Sequence, residues 1–312
     1  MDISVIIPTY RRERVLRDTL SRLLEQAGPE VEIIVVDQSE GHEPATTRFF
    51  AEHQDQLCVL QRPMRGLPAA RNAGLSVAHG EIVVFLDDDV ICEPTLLAAH
   101  AAAYADPRVG GVAGRNISSG LEYLEPEPAV VGRVSPWATV QLNFYAGRPR
   151  TVDTARGCNM SFRRELVERV GGFDERYIGN ATMEECDLCA RIRRLGYEIR
   201  FVPEAEVFHL FAPHGGCRND ELASLRARYQ SQFANETLYF LEHCPRRGLP
   251  IYVYKRWRRI AGSVVRFGPR FTADAFRAGV RAYQAGRPAS YLAAPAVAPA
   301  AGRSSGQAAE MV

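Results

Sequence analysis

The stretch that decides the fold is EIVVFLDDDV, residues 81–90. A short apolar run with no polar alternation reads as a strand buried on both faces. Three aspartates, Asp87, Asp88 and Asp89, stand at its end. Adjacent like charges repel, so such a cluster calls for something positive facing it.

Three similar runs precede it: ISVII (3–7), closed by Pro8, then VEIIVVD (31–37) and CVLQR (58–62). Between them lie helical patterns. Leu16, Leu20, Leu23, Leu24 and Ala27 recur at helical spacing before Gly28-Pro29, a second pattern runs to about residue 55, and a third covers 68–79 with Pro68 in its first turn. Strands alternating with helices predict an α/β fold, a Rossmann-like, mostly parallel sheet with helices on both faces. Ligands of such sheets bind beyond the carboxyl ends of the strands. Thr9, Asp37 and Asp87 to Asp89 all end strands, which places them on one rim.

Further along, a helix is predicted over 96–103, while 110–155 shows no clear period. NMSF (159–162) reads as a strand, RRELVERVGG (163–172) as a helix ended by paired glycines, and 183–195 as a helix ended by Gly196. Two strands follow, 197–203 and 205–209, the second ending at His209. From about 221 the chain reads as helical, and beyond 284 it is rich in Ala, Pro and Gly, a composition expected to be disordered. The expected organisation is a domain over 1–220, with halves at about 1–110 and 111–220, a basic helical extension over 221–283 and a disordered tail over 284–312.

The chain has 312 residues, 46% of them apolar, and a formal net charge of +1. That charge gives no global attraction to nucleic acid, and no nucleic-acid-binding module accompanies it. Seven cysteines are scattered without a paired framework, and Cys186 and Cys189 are expected to pack in a core. MDISVIIPTY runs straight into a strand without a basic leader, and no segment holds the ~20 apolar residues of a membrane span. The expected location is cytoplasmic, with peripheral contact on the inner face of the membrane.

Clustered aspartates at a strand end suit a hard divalent cation, Mg²⁺ or Mn²⁺, which would join them to the phosphates of a nucleotide. A solvated acidic turn is the plain alternative. A second cluster is MEECDLCARIRRLG (183–196). On a helix Glu184, Asp187 and Arg191 share a face and Glu185 lies about 100° round. The plain reading there is an Asp187–Arg191 pair at i, i+4. FLDDDV also fits the nucleophile motif of haloacid-dehalogenase-like phosphatases, with Asp87 attacking phosphate and Asp89 as acid/base. A catalytically inert nucleotide-sugar binding module is a further alternative.

Five pieces occur in order: VIIPTYRR (5–12), VVDQSE (35–40), RGLPAARNAGLSVAHGEIVVFLDDDV (65–90), RGCNMSFRRELVERVGGFDE (156–175) and EECDLCARIRRLGYEIRFVPEAEVFH (184–209). Together the chain resembles the family 2 glycosyltransferases of the GT-A fold over residues 3–218. The resemblance implies an inverting, metal-dependent transfer of sugar from a nucleotide diphosphate to a hydroxyl of a glycan or lipid-linked acceptor, in cell-envelope or exopolysaccharide synthesis. It implies that Pro8, Thr9 and Asp37 hold the nucleobase, with Arg71 also against the base. Asp37 suits the ring N–H of a pyrimidine, hence UDP or dTDP. Asp88 would hold the ribose, Asp87 and Asp89 would form the D-x-D pair with Asp89 on the metal, and His209 would contact metal or diphosphate. The family usually shows Glu-Asp where this chain has Glu184-Glu185, and there the aspartate is the general base. Glu185 takes that place here, with Glu184 and Asp187 completing the catalytic set. Gly157 and Asn159 fall on the acceptor side, Asp174 on the acceptor or a turn, and Arg218 on phosphate.

Residues 245–303 carry twelve basic residues and one acidic residue, Asp274. Within 251–270, Lys255, Arg256, Arg258, Arg259 and Arg266 are mixed with aromatic and aliphatic residues. This composition predicts an interfacial helix at an anionic membrane surface, or a helix packed on the domain with a solvated basic face.

Overall fold

The computed structural model describes residues 1–118, 127–216 and 224–292. The first half alternates β1 (Ile3–Thr9), α1 (Arg14–Leu24), β2 (Val31–Asp37), α2 (Pro44–Glu52), β3 (Leu57–Gln61), α3 (Leu67–Leu75), β4 (Ile82–Leu86), β5 (Val90–Cys92) and α4 (Leu96–Ala103). The second half contains β6 (Val109–Ile117), β7 (Arg133–Val134), β8 (Val140–Gln141), β9 (Arg150–Val152), β10 (Asn159–Arg163), α5 (Arg164–Arg169), α6 (Glu184–Arg194) and β11 (Glu198–His209). Three further helices follow: α7 (Leu225–His243), α8 (Leu249–Phe267) and α9 (Pro269–Gln284).

The main sheet runs β3-β2-β1-β4-β10-β6-β11-β5, with β9 also paired to β11. β1 to β4 are parallel to one another, and β11 is parallel to β6. β10 is antiparallel to both β4 and β6, so its start, Asn159, lies on the same rim as the end of β4.

Alternation along each strand feeds two cores. Ile6, Ile34, Val36, Val83 and Phe85 face α3, α5 and α6. Val5, Ile7, Ile33, Val35, Val84 and Leu86 face α1 and α4. Helices therefore cover both faces, as an apolar run on both sides requires.

Several details differ from expectation. Pro8 does not stop β1; it pairs with Val36. The register with β4 ends at Ile6↔Phe85, so the N–H that Pro8 lacks has no ladder partner to lose on that side. β6 was hidden because Gly110, Gly111 and Gly114 interrupt its apolar pattern. The two strands expected over 197–209 are one, β11, with a register shift between Val202 and Glu206 that absorbs Pro203.

The helical extension is not a separate body. Leu238, Tyr239 and Phe240 of α7 and Tyr252 of α8 form a third core with Tyr177, Met183 and Cys186, so the extension packs directly on α6. The tail also departs from expectation. Residues 285–292, expected to be disordered, lie against the domain, with Leu292 packed on the first core and Tyr291 N–H donating to Gly171 O at 3.1 Å. Residues 293–312 lie outside the described residues. No helix among the described residues is long and apolar enough to cross a membrane. Cys186 and Cys189 are both buried, as core packing requires.

Candidate active site

A cleft of about 690 Å³ opens at the rim where β4 and β11 end and β10 begins. Asp87 and His209 line it on one side, Glu184 and Glu185 on the other, with Arg71, Arg156, Gly157 and Cys158 also in its wall. Each position has a local cause. The aspartates follow the buried run of β4, His209 is the last residue of β11, and the glutamates form the first turn of α6. Backbone N–H groups without partners in that first turn favour negative side chains.

On the β4 side, His209 Nε2 lies 3.1 Å from Asp89 Oδ1 and 3.6 Å from Asp87 Oδ2. Neighbouring ligands of one octahedral cation with ~2.1 Å bonds sit about 3 Å apart, so His209 stands at ligand spacing from each aspartate, while the group whose donor atoms all lie within 4.8 Å of one another is Asp87, Cys158 and His209. The other Asp89 oxygen accepts from Ala212 N at 2.8 Å and from Arg12 Nη1 at 3.3 Å, leaving Oδ1 towards the histidine. Cys158 Sγ also lies within ligand reach of Asp87 and His209. Burial pushes its thiol well above the usual range and it donates to Asn116 Oδ1 at 3.1 Å, so it is a neutral wall of the site.

The electrostatics carry the same message. Burial raises the Asp87 carboxyl above its usual value, with Arg71 pulling it back and Asp89 pushing it up. Burial raises Asp88 to about 7, against the charge of Arg12. Burial also works against Asp89, but the bond and charge of His209 together with Arg12 hold it low. A bound cation would reverse this crowding of negative charge.

Arg71 is fully buried and ties the two sides together. It donates to Gly157 O at 2.8 Å, lies 3.7 Å from Asp87 Oδ1, and forms an ion pair with Glu184 Oε1. Expected against the nucleobase, it lies between Asp87 and Glu184 in the wall of the same cleft. A Cβ on Gly157 would lie 2.8 Å from Arg71 Nη2, so the glycine gives this arginine room. With Glu184 buried and held by Arg71, Glu185 is the glutamate of α6 left half-buried in the wall of the cleft. Burial raises its carboxyl above the usual range, offset in part by a backbone hydrogen bond and by the charges of Arg71 and Arg156.

At the end of β1, Thr9 Oγ1 donates to Asp88 Oδ2 at 2.7 Å. Asp37 is buried; Oδ1 accepts from Ser39 N at 2.8 Å and Oδ2 lies 2.8 Å from His42 Nε2. His42 therefore shares the site expected of Asp37 alone.

Three expected site residues are held by other groups of the protein. Asp187 is buried and bound by Arg191 at 2.9 and 2.6 Å, His243 at 2.6 Å and Arg287 at 3.1 Å. Burial would raise its carboxyl, but Arg191, the bond from His243 and Arg287 hold it well below the usual range, and the Asp187–Arg191 pair is the i, i+4 contact its spacing predicts. Asp174 is buried and takes the second of its two expected places, a turn in which it accepts from Arg176 N at 3.0 Å; it also accepts from the Arg176 side chain, from Arg287 at 3.0 Å and from Tyr291 at 2.8 Å. Asn159 is buried too, donating to Arg115 O and Ala205 O with its Oδ1 2.8 Å from His100 Nε2, which leaves nothing for a sugar hydroxyl. Arg218 lies outside the described residues.

Arg12 was not foreseen as a site residue. It is buried between the aspartates and the loop over 213–216, with Nη2 3.4 Å from Gly215 O. The run YRR (10–12) was its only signal, and the run does not say which arginine turns inward.

Among the described residues, six non-glycine residues have positive φ: Arg11, Ala138, Asn143, Ala181, Met183 and Phe211. Ala181 and Phe211 line the cleft, while Met183 and Arg11 adjoin Glu184 and Arg12. Each such residue costs roughly 1–3 kcal/mol, and strain of this kind concentrates at functional sites.

Residues 4–171 match the family described as glycosyl transferase family 2, and 142–214 match one described as the N-terminal domain of galactosyltransferase. Among curated proteins, the chain is 28% identical over 217 residues to the probable glycosyltransferase YdaM of Bacillus subtilis, covering 65% of this chain and 49% of that protein. It is 29% identical over 212 residues to the pre-mycofactocin glycosyltransferase of Mycobacterium tuberculosis, covering 67% of this chain and 42% of that protein. The chain thus spans about half the length of these curated relatives. Among solved structures, it resembles the mannosyltransferase PcManGT of Pyrobaculum calidifontis in complex with GDP-Man and Mn²⁺ (TM-score 0.55, 21% identity, 91% of this chain and 74% of that one). It also resembles GalNAc-T7 with UDP, GalNAc and Mn²⁺ (TM-score 0.57, 14% identity, 86% and 58%). At these identities the structural likeness shows the fold, a GT-A arrangement.

Proposed function

Because this chain belongs to glycosyltransferase family 2, we propose that it transfers a sugar from a nucleotide diphosphate to an acceptor hydroxyl with inversion, using a divalent cation and Glu185 as base. The observation that carries this reading is one cleft lined together by Asp87 and His209 at the strand ends and Glu185 in the first turn of α6. Asp89, Asp87 and His209 would hold the cation, Mg²⁺ or Mn²⁺. When bound, the cation neutralises charge on the diphosphate as the sugar departs. Glu185 takes the proton of the attacking hydroxyl. Arg71 keeps Glu184 engaged, and so holds the first turn of α6 beside the cleft. Thr9 and Asp88 fall at the ribose and base end, with Asp37 and His42 beyond, and a pyrimidine donor, UDP or dTDP, is the expected partner.

Melting of the protein with UDP, dTDP or GDP, each with and without Mn²⁺, tests the donor site. A ligand at a hundred times its Kd stabilises by about 2.7 kcal/mol. A shift that needs both nucleotide and metal is expected, largest with a pyrimidine. No shift with any nucleotide would sink the reading and return the phosphatase and inert-module alternatives, in which Asp87 has another role.

The acceptor is expected to be a glycan, and the surface of α8 favours one presented at a membrane, as in cell-envelope synthesis. Ile251, Tyr254, Trp257 and Val265 are exposed along one side of α8, accompanied by exposed Lys255, Arg258 and Arg266. Arg256 and Arg259 do not join them, since both pair with Glu236 of α7. No acidic residue occurs in α8. Each basic residue near an anionic surface contributes about 1 kcal/mol, so replacing Lys255, Arg258 and Arg266 together should weaken vesicle binding about a hundred-fold. Sedimentation with phosphatidylserine-containing vesicles measures this. Equal recovery of wild type and triple variant would remove the membrane from the proposal.

A further inference from the structure

The geometry points to Arg287 as a positioning residue: the segment 285–292 is a strap that locks the base helix α6 in register with the cleft. This rests on the reading of Glu185 as base.

Arg287 lies just beyond α9, yet its guanidinium joins two buried carboxylates. Nε donates to Asp174 Oδ2 at 3.0 Å and Nη2 to Asp187 Oδ1 at 3.1 Å. Asp174 belongs to the loop that leads towards α6, and Asp187 lies within the first turn of α6, two residues after Glu185. One planar fork therefore couples the loop to the helix that carries the base. Tyr291 completes the attachment, its hydroxyl donating to Asp174 Oδ1 at 2.8 Å and its N–H to Gly171 O at 3.1 Å. Leu292 packs on the core beneath.

The loop is shaped to receive the strap. Gly171 and Gly172 have φ of +82° and +79°, and a Cβ on Gly171 would lie 2.6 Å from Ala289 O. The Asp187 oxygen that Arg287 meets is also reached by His243 Nε2 of α7 at 2.6 Å, while Oδ2 accepts from Arg191 of α6 at 2.9 and 2.6 Å. The loop is gripped again where Arg176 donates to Ala282 O at 2.9 Å and Glu242 Oε1 at 2.7 Å. Arg287, Arg176 and His243, none of them on α6, thus converge on Asp174 and Asp187. A catalytic carboxylate displaced by about 1 Å loses on the order of a hundred-fold in rate, so a strap anchored two residues from the base bears directly on turnover.

The test uses the full chain carrying Arg287→Ala, Arg287→Lys or Tyr291→Phe. Two readouts are taken: hydrogen exchange of the amides of 184–188, and kcat, KM and nucleotide affinity with the nucleotide sugar identified by melting. For Arg287→Ala, exchange at 184–188 should rise at least ten-fold and kcat should fall about ten- to a hundred-fold, with nucleotide affinity within two-fold of wild type. Arg287→Lys should recover part of the loss, because an ammonium reaches one carboxylate and lacks the fork that joins both. Tyr291→Phe should show a smaller effect of the same kind. Unchanged exchange at 184–188 in both Arg287 variants overturns the strap. So does a lowered melting temperature with kcat unchanged, the mark of a merely structural contact. If wild type transfers no sugar, the proposed function fails, and the exchange measurement alone still decides whether the strap holds α6.

Discussion

Glu185→Gln is expected to lower transfer about a thousand-fold while nucleotide affinity stays within two-fold of wild type, because a general base contributes roughly 10²–10⁴. The glutamine keeps the shape and loses only the proton acceptor. Glu184→Gln is the informative control. Glu184 is buried against Arg71, so its loss should act through stability and the placement of α6. Glu185→Asp should retain part of the activity, since the chemistry is unchanged and only reach is shortened.

The pH profile carries a sign. Burial raises the Glu185 carboxyl, while Arg71 and Arg156 pull it down. A base works deprotonated, so activity is full above its folded pKa and falls as pH drops through it. The acid limb should therefore lie above that of an ordinary glutamate at about 4.3. Arg156→Ala removes one of the lowering charges and should move the limb to higher pH. Wild-type kcat in Glu185→Gln would reject the base assignment. A limb that Arg156→Ala leaves in place, or moves to lower pH, would reject the electrostatic account of it.

The second large effect is expected at Asp89. Asp89→Ala should abolish the Mn²⁺-dependent part of nucleotide stabilisation and lower turnover about a thousand-fold, matching the several kcal/mol a Lewis-acidic cation supplies to a departing diphosphate. Asp89 also accepts from Ala212 N and Arg12, so the alanine variant leaves those donors unmatched. Asp89→Asn is the companion, since its amide oxygen can still accept from Ala212 while the negative charge is gone. His209→Ala should weaken Mn²⁺ dependence in the same direction. Metal titration by calorimetry in the presence of nucleotide measures all three. Full Mn²⁺ dependence in both Asp89 variants would place the cation elsewhere.

The sequence alone determined the order of strands and helices through most of the sheet, because a buried strand must be an unbroken apolar run and its end is a local feature. It therefore also determined that Thr9, Asp37, Asp87 to Asp89 and His209 end strands, and that Glu184 and Glu185 open a helix. β6 escaped notice because Gly110, Gly111 and Gly114 have no side chains to show a period.

Only the tertiary structure decided which polar residues are spent on structure. Asp187, Asp174 and Asn159 look as suited to catalysis in the chain as Glu185 does; the Asp187–Arg191 pair was legible locally at i, i+4, but the partners that complete these three sites come from far away. Arg287 meets Asp174 from 113 residues along the chain and Asp187 from 100, and Arg12 reaches Gly215 across 203. A carboxylate buried on folding must find a cation or hydrogen-bond donors, or give up its charge. Local periodicity says that a residue turns inward, whereas the identity of what it meets is a property of the folded chain.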